Sequence, residues 1–435
     1  MSRRCLVIIA ALMFWPSAVS AHDVPDRVKI DVFVKPDNDH LLILVRMPAN
    51  ALIDFLLPTL PDGNWVDLAN ADSVAAAGAN VWIADMLSLY EGGTALARPH
   101  VLAVRISRVN DPSFSTFQDA LTRVHGSPLP IDTLVLQDQV TVDALLQTPV
   151  DSVDSSFSFE PRFARLGVVV DTSVTFLPPA GGIRQFRYQD DPDAFELDPG
   201  RGHAIRRFLN VGFAHYFGQT DYLLLALCVA LVFPRPRMLL PFVVALGCAE
   251  SLILIASLEL MPSLPWLRVI GGVLIAATIV YTGIEAIIAG NGKRVGLAIG
   301  VGLVLGCGFW FGLQPLLQFG GTHALASSLA FDLGVVTAEL ATMALLVAAV
   351  QMVIRLSRAP RAAVTIAAAI AIHIAWRRML DRADALALVQ VQAPAVSPAQ
   401  LAVIGAVAIA ALAGSAHVLR RRDQGTAVGS ATPTL

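Results

Sequence analysis

The sequence predicts a mixed fold: a β-rich, sandwich-like exported domain, then an all-α polytopic membrane bundle of about seven helices. Three observations predict it. The 435 residues are 55% hydrophobic and only 15% charged, with a mean hydropathy of +0.64, too apolar for an ordinary soluble protein. Charge divides the chain: residues 22–205 carry 25 acidic and 13 basic side chains, whereas 206–435 carry 9 and 16. Finally, the apolar segments of spanning length all follow Arg207. The expected surroundings are a lipid bilayer, with no nucleic-acid partner.

The N-terminus, MSRRCLVIIAALMFWPSAVSAHD, has the three parts of a secretory signal peptide. Arg3 and Arg4 make the positive end, Leu6 to Trp15 the apolar core, and Ala18-Val19-Ser20-Ala21 a small-x-small site. Residues 1–21 are therefore expected to be removed.

Residues 22–205 are the expected periplasmic domain. RVKIDVFVKPDNDHLLILVRMP alternates at Val28, Ile30, Val32 and Val34, turns through KPDND and resumes at Leu41, which is a hairpin pattern. HVLAVRISRV is a further strand and STFQDALTRV a short helix. LGVVVDTSVTFLPPAGGIRQFRY gives two strands joined by a Pro-Gly turn. Cys5 leaves with the signal peptide, and Cys228, Cys248 and Cys307 lie in apolar segments, so no disulfide framework is available to this domain. The acidic run YQDDPDAFELDPGRG reads as a solvated linker, since its spacing fits no EF-hand loop.

Residues 206–422 are the expected membrane domain, with spans near 211–233, 239–260, 266–289, 295–318, 324–354, 362–376 and 399–419. Residues 423–435 are an expected disordered tail. PRPR at 234–237, GNGKR at 290–294, RLSRAPR at 355–361 and LRRR at 419–422 follow spans one, three, five and seven. The positive-inside rule places all four in the cytoplasm. The expected topology is an inner-membrane protein with its N-terminal domain in the periplasm and its C-terminus inside. Arg206, Arg207 and the WRRMLDR stretch are assigned to the outer side.

Ionisable residues inside spans are costly and face a bundle interior, a cavity or a partner. Here they are Asp221 in span one, Glu250 in span two, Glu285 in span three, and Asp332 with Glu339 in span five. The last two are seven residues apart, on one helical face. His215, His323 and His373 fall at the expected outer ends of spans one, five and six. Imidazoles above carboxylates suit a divalent cation of the nickel, cobalt or zinc kind, and equally a proton. Taken singly, each acid also fits a buried group bonded to a neighbouring helix, and each histidine an interfacial residue. Phosphate loops, nucleophile elbows and paired CxxC motifs are not seen, so an enzyme is the least favoured class.

Over nearly the whole mature length, the chain resembles the HupE/UreJ family in its long form with an exported domain. The resemblance rests on AHDVPDRVKIDVFVKP, RFARLGVVVDTSVTFLPPAGGIRQFRY and LLQFGGTHALASSLAFDLGV. It implies a nickel or cobalt permease linked to hydrogenase or urease maturation. The family's first span carries a His, five residues, then Asp-His; His215 and Asp221 match, and Tyr222 replaces the second His. Glu250 stands where Ala-His-Ser has its His. Glu285 is kept, followed by Ala286 in place of Asn. Leu305 replaces a span-four histidine. Asp332, Val336 and Glu339 replace Asn, Glu and Gln, and of the late Ala-His-x-x-Trp-His-Trp pattern His373 and Trp376 remain.

The expected pathway is therefore His215, Asp221, Glu250, Glu285, Asp332 and Glu339, with His215, Asp221, His323 and His373 as candidate ligands for a nickel or cobalt ion. Two other readings remain open: an accessory protein whose periplasmic domain binds a protein partner, and a proton-coupled carrier of another solute.

Overall fold

The computed structural model describes residues 27–51, 56–233, 236–260, 265–288 and 294–389. They form two compact units, divided between Asp198 and Pro199. The expected signal peptide, seventh span and C-terminal tail lie outside the described residues.

In the first unit, alternation makes the central strands. β1 (Arg27–Asp37) buries Val28, Ile30, Val32 and Val34 on one face, because successive strand side chains point to opposite sides. It pairs antiparallel with β2 (His40–Pro48), Asp37 opposite His40. Asn38 turns the chain with a φ of 53°, a left-handed value that asparagine tolerates well. The turn is shorter than the polar run KPDND implies, since Lys35 to Asp37 are still paired.

The remaining strands are β3 (Leu87–Glu91), β4 (Thr94–Ala95), β5 (His100–Arg108), β6 (Val140–Pro149), β7 (Phe157–Pro161), β8 (Val169–Phe176), β9 (Arg184–Gln189) and β10 (Phe195–Glu196). One sheet has the order β5-β6-β2-β1-β8-β9 and the other β10-β7-β3-β4. Among the described strands, only β1 and β8 run parallel. Helix α1 (Leu68–Gly78) starts at Asp67, whose carboxylate accepts from the Ala69 N–H. Helix α2 (Phe117–His125) starts at Thr116, which caps the Asp119 N–H. Its Phe117, Ala120 and Val124 pack on Phe33, Leu44 and Leu145 of the larger sheet.

Phenylalanines join the two sheets. Phe157 of β7 meets Phe176 of β8, and Phe195 of β10 meets both Phe159 and Phe186. Each such ring, fully buried, contributes about 1.5–3 kcal/mol. The acidic run is accordingly more than a linker: Phe195 is part of the core, Asp191 accepts the Ala164 N–H at 2.7 Å, and Asp198 pairs with Arg184 at 2.9 Å. Inside the larger sheet, Arg46 of β2 donates twice to Asp143 of β6, at 2.6 and 2.7 Å, and Ser107 of β5 donates to the same carboxylate at 2.5 Å. This satisfies both buried charges.

The second unit is helical: α3 (Arg201–Gly218), α4 (Thr220–Val232), α5 (Pro236–Leu260), α6 (Pro265–Ile288), α7 (Arg294–Leu313), α8 (Ala324–Leu356) and α9 (Pro360–Leu388), with a 3-10 turn at Gln314–Gly320. Among the described residues, five helices are long and apolar enough to cross a membrane, and up to six spans result if α3 and α4 count as one. The apolar segment 211–233 is thus not a single helix. Its two halves bend by 74° at Gln219, whose backbone is extended. Gly218 ends the first half, and glycine weakens a helix. Asp221 opens the second half, where a carboxylate is favoured by the helix dipole.

A second correction concerns α9. It runs through WRRMLDR to Leu388 rather than stopping near 376, because Arg378 and Arg382 find a partner within the bundle. Small residues set the helix crossings. A methyl on Gly212 of α3 would lie 2.1 Å from the Phe331 carbonyl oxygen of α8, and one on Gly334 2.2 Å from that of Leu209. A methyl on Gly302 of α7 would lie 2.5 Å from the Leu246 carbonyl oxygen of α5, and one on Gly306 2.8 Å from that of Glu250.

Candidate functional site

Two polar constellations occupy the helical unit. The first sits at the bend. Asp221 is 4% exposed at its side chain, and both its oxygens are taken. Arg378 donates to Oδ1 at 2.9 Å and Arg382 to Oδ2, while Arg382 also donates to the Gly272 carbonyl at 2.7 Å. The two arginines are four residues apart, hence neighbours on one face of α9. The sequence expectation made Asp221 a cation ligand; here two guanidinium groups neutralise it.

His215, in the last turn of α3, packs on Gly312 of α7, where a methyl would come 2.4 Å from the ring. Tyr222, Phe309 and Phe331 surround it, and its Nε2 is buried with no partner among the described residues. His215, Asp221 and Tyr222 line one cavity of about 340 Å³, together with Arg268 of α6 and Arg382.

The second constellation is acidic. Glu250 of α5 is 0% exposed, and Asp332 and Glu339 of α8 are 9% and 2% exposed. The Ser251 hydroxyl donates to Asp332 Oδ2. Glu250 and Glu339 are close neighbours across the two helices. Both oxygens of Glu250, Oδ1 of Asp332 and Oε2 of Glu339 have no donor, and no arginine or lysine pairs with the three acids among the described residues. Tyr216 lies beside Glu250 and Glu339, and stacks on Tyr222 with centroids 5.8 Å apart. Tyr222 in turn is near both Asp221 and Glu250. A tyrosine pair thus stands between the two constellations.

The other predicted residues fall elsewhere. Glu285 is half-buried on α6 and accepts from Tyr281, one turn away, at 3.3 Å. His323 is the half-buried residue before α8, its carbonyl accepting the Ser327 N–H. His373 is exposed on α9 and outside the cavity. Among the described residues, no three His, Cys, Asp or Glu side chains gather closely enough to hold a metal ion. Sequence reasoning missed Arg378, Arg382 and Tyr216. The signal for the arginines was their four-residue spacing, hidden by ending span six at 376 and assigning WRRMLDR to the outer side.

Residues 192–380 match the family model described as HupE / UreJ protein, a stretch that contains His215, Asp221, Glu250, Asp332 and Glu339. No curated protein matches the chain significantly. The match and the apolar helices among the described residues together support a multi-pass membrane protein similar to this family over residues 192–380.

Proposed function

From the premise of a HupE/UreJ-type membrane unit, we propose that the protein binds or carries a divalent cation of the nickel or cobalt kind, through Glu250, Asp332 and Glu339. One observation carries this reading: three carboxyl groups from two adjacent helices are buried, with four unbonded oxygens and no basic partner among the described residues. Carboxyl groups are kept inside an apolar bundle where an ion or proton passes, and oxygen donors suit a hard or borderline divalent ion. A modest approach of α5 and α8 would bring the three together around such a cargo. His215 would stand beyond the tyrosine pair, and Glu285, His323 and His373 serve the bundle outside this step.

The proposed setting is the inner membrane, with the strand-rich unit in the periplasm and the C-terminus inside. It is supported by the signal-peptide pattern and by four basic loops on one side. A second reading, a proton-coupled carrier of another solute, is favoured by the proximity of Glu250 and Glu339. Two facing carboxyls without a cation between them are a place to hold a proton.

Uptake into proteoliposomes separates the two. Nickel, cobalt, zinc and manganese are each offered to wild type and to Glu250→Gln and Glu339→Gln variants. Cation transport predicts uptake of at least one ion, lost in both variants. Proton coupling predicts no metal uptake but an internal pH change that depends on both glutamates. Unchanged transport in the variants would sink both readings.

A further inference from the structure

The cavity at the α3–α4 bend has chemistry that the acidic constellation does not use. Its lining divides into a cationic part and an apolar wall. Arg268 and Arg382 line it with His215 and Gln219, while Val269, Ile275 and Phe311 form the wall. Among the described residues, Asp221 is the only acid in the lining, and Arg378 and Arg382 already hold both its oxygens. Asp381 and Asp384 of α9 are exposed and outside it. Counting Arg268, Arg378 and Arg382 against Asp221, an excess of two positive charges faces or backs the space.

Donors remain free as well. A guanidinium has five N–H donors, and the Asp221 and Gly272 contacts occupy two of those on Arg382. Arg268 has no hydrogen bond or ion pair among the described residues. The buried Nε2 of His215 has none either. Unused guanidinium donors match a carboxylate group. The apolar wall selects against a bare inorganic anion and for one with a carbon skeleton. The volume, about 340 Å³, lies at the lower end of the range for small-molecule sites.

We propose that this cavity binds a small organic carboxylate, its head group between Arg268 and Arg382 and its carbon skeleton against Val269, Ile275 and Phe311. Asp221 serves the site by fixing Arg382 in place. The site is separate from the acidic constellation and does not depend on whether that group carries a cation.

The test uses the purified full-length protein in detergent, titrated with succinate by calorimetry and by thermal shift. Sodium chloride and inorganic phosphate at matched ionic strength are the comparisons. Succinate is expected to bind saturably and to stabilise the protein where the other two do not. Arg268→Gln should weaken binding roughly tenfold or more, the worth of a charge-assisted contact, and Arg268→Lys should recover part of it. Val269→Trp, which fills the cavity, should remove binding by volume rather than charge. Glu250→Gln should leave it unchanged, so failure of the cation reading would not be mistaken for failure here. The proposal is overturned if succinate acts no differently from chloride, if phosphate binds as tightly, or if Arg268→Gln and Val269→Trp both bind like wild type.

Discussion

Replacing Gly212 or Gly334 with alanine probes the close crossing of α3 and α8. The new methyl would sit 2.1 Å from the Phe331 carbonyl oxygen in the first case and 2.2 Å from that of Leu209 in the second. Carbon–oxygen contacts of this type settle at about 3.3–3.6 Å, so α3 and α8 must part by roughly 1 Å to admit either methyl. Overpacking costs about 1–3 kcal/mol. The upper part of that range applies, because the clash is with backbone that has no rotamer to escape into. Both substitutions demand the same separation. Once one has forced the helices apart, the second finds room, so the double variant should lose less than the sum by about 1 kcal/mol. Denaturant unfolding of the full chain in detergent, followed by tryptophan fluorescence, measures all three. Strictly additive losses, or a single variant as stable as wild type, would refute the crossing.

In the strand-rich unit, Asp143→Ala takes the closest carboxylate from the buried guanidinium of Arg46, leaving it only Asp111 at 3.8 Å as a counter-charge, and should cost about 3 kcal/mol, the lower end for breaking a buried pair. Hydrogen exchange of the β2 and β6 amides reads this, and Arg46→Met on the same background should recover most of the loss. A pH effect is expected nearby. The Tyr90 hydroxyl donates to Glu160 and, with Arg162 assisting against partial burial, holds its carboxyl below the usual range. A depressed carboxyl contributes stability above its unfolded pKa, lost as pH falls through the folded value. Tyr90→Phe should move the Glu160 titration upward, toward the ordinary carboxylate range, and shrink the acid loss. Carbon-13 NMR of the glutamate carboxyls checks it, and an unmoved Glu160 would mean the hydroxyl does not set its charge.

Much of this was legible in residue order. Val28 to Val34 announced β1 because a half-buried strand must alternate, and the apolar runs after Arg207 announced helices because no other use of such length is stable. What hid was set by partners distant in sequence. Composition does not record where the backbone leaves a helix, so the break at Gln219 is invisible within 211–233. Asp221 looked like a free ligand because the arginines that neutralise it lie 157 and 161 residues away. Phe195 sat in an acidic run that read as solvent until Phe159 and Phe186 gave it a core to join. Glu250, Asp332 and Glu339 were visible as costly residues, but that their oxygens lack donors is a fact of packing.

The parallel pairing of β1 with β8 has a consequence for the order in which the molecule can assemble. Arg27 is partnered by Val169, 142 positions later, and the sheet ends only with β9 at Gln189. Closing so long a loop is entropically expensive, and contacts of high sequence separation form slowly. A ribosome delivers the N-terminus first. The β1–β2 hairpin therefore waits with one edge unpaired until nearly the whole first unit has been made, by which time α3 and the first membrane helices are next to emerge. An open strand edge is a template for wrong pairing. For this chain, the hazardous interval in biogenesis falls just before the membrane unit appears, and a holdase that caps the free edge of β1 would act in that interval.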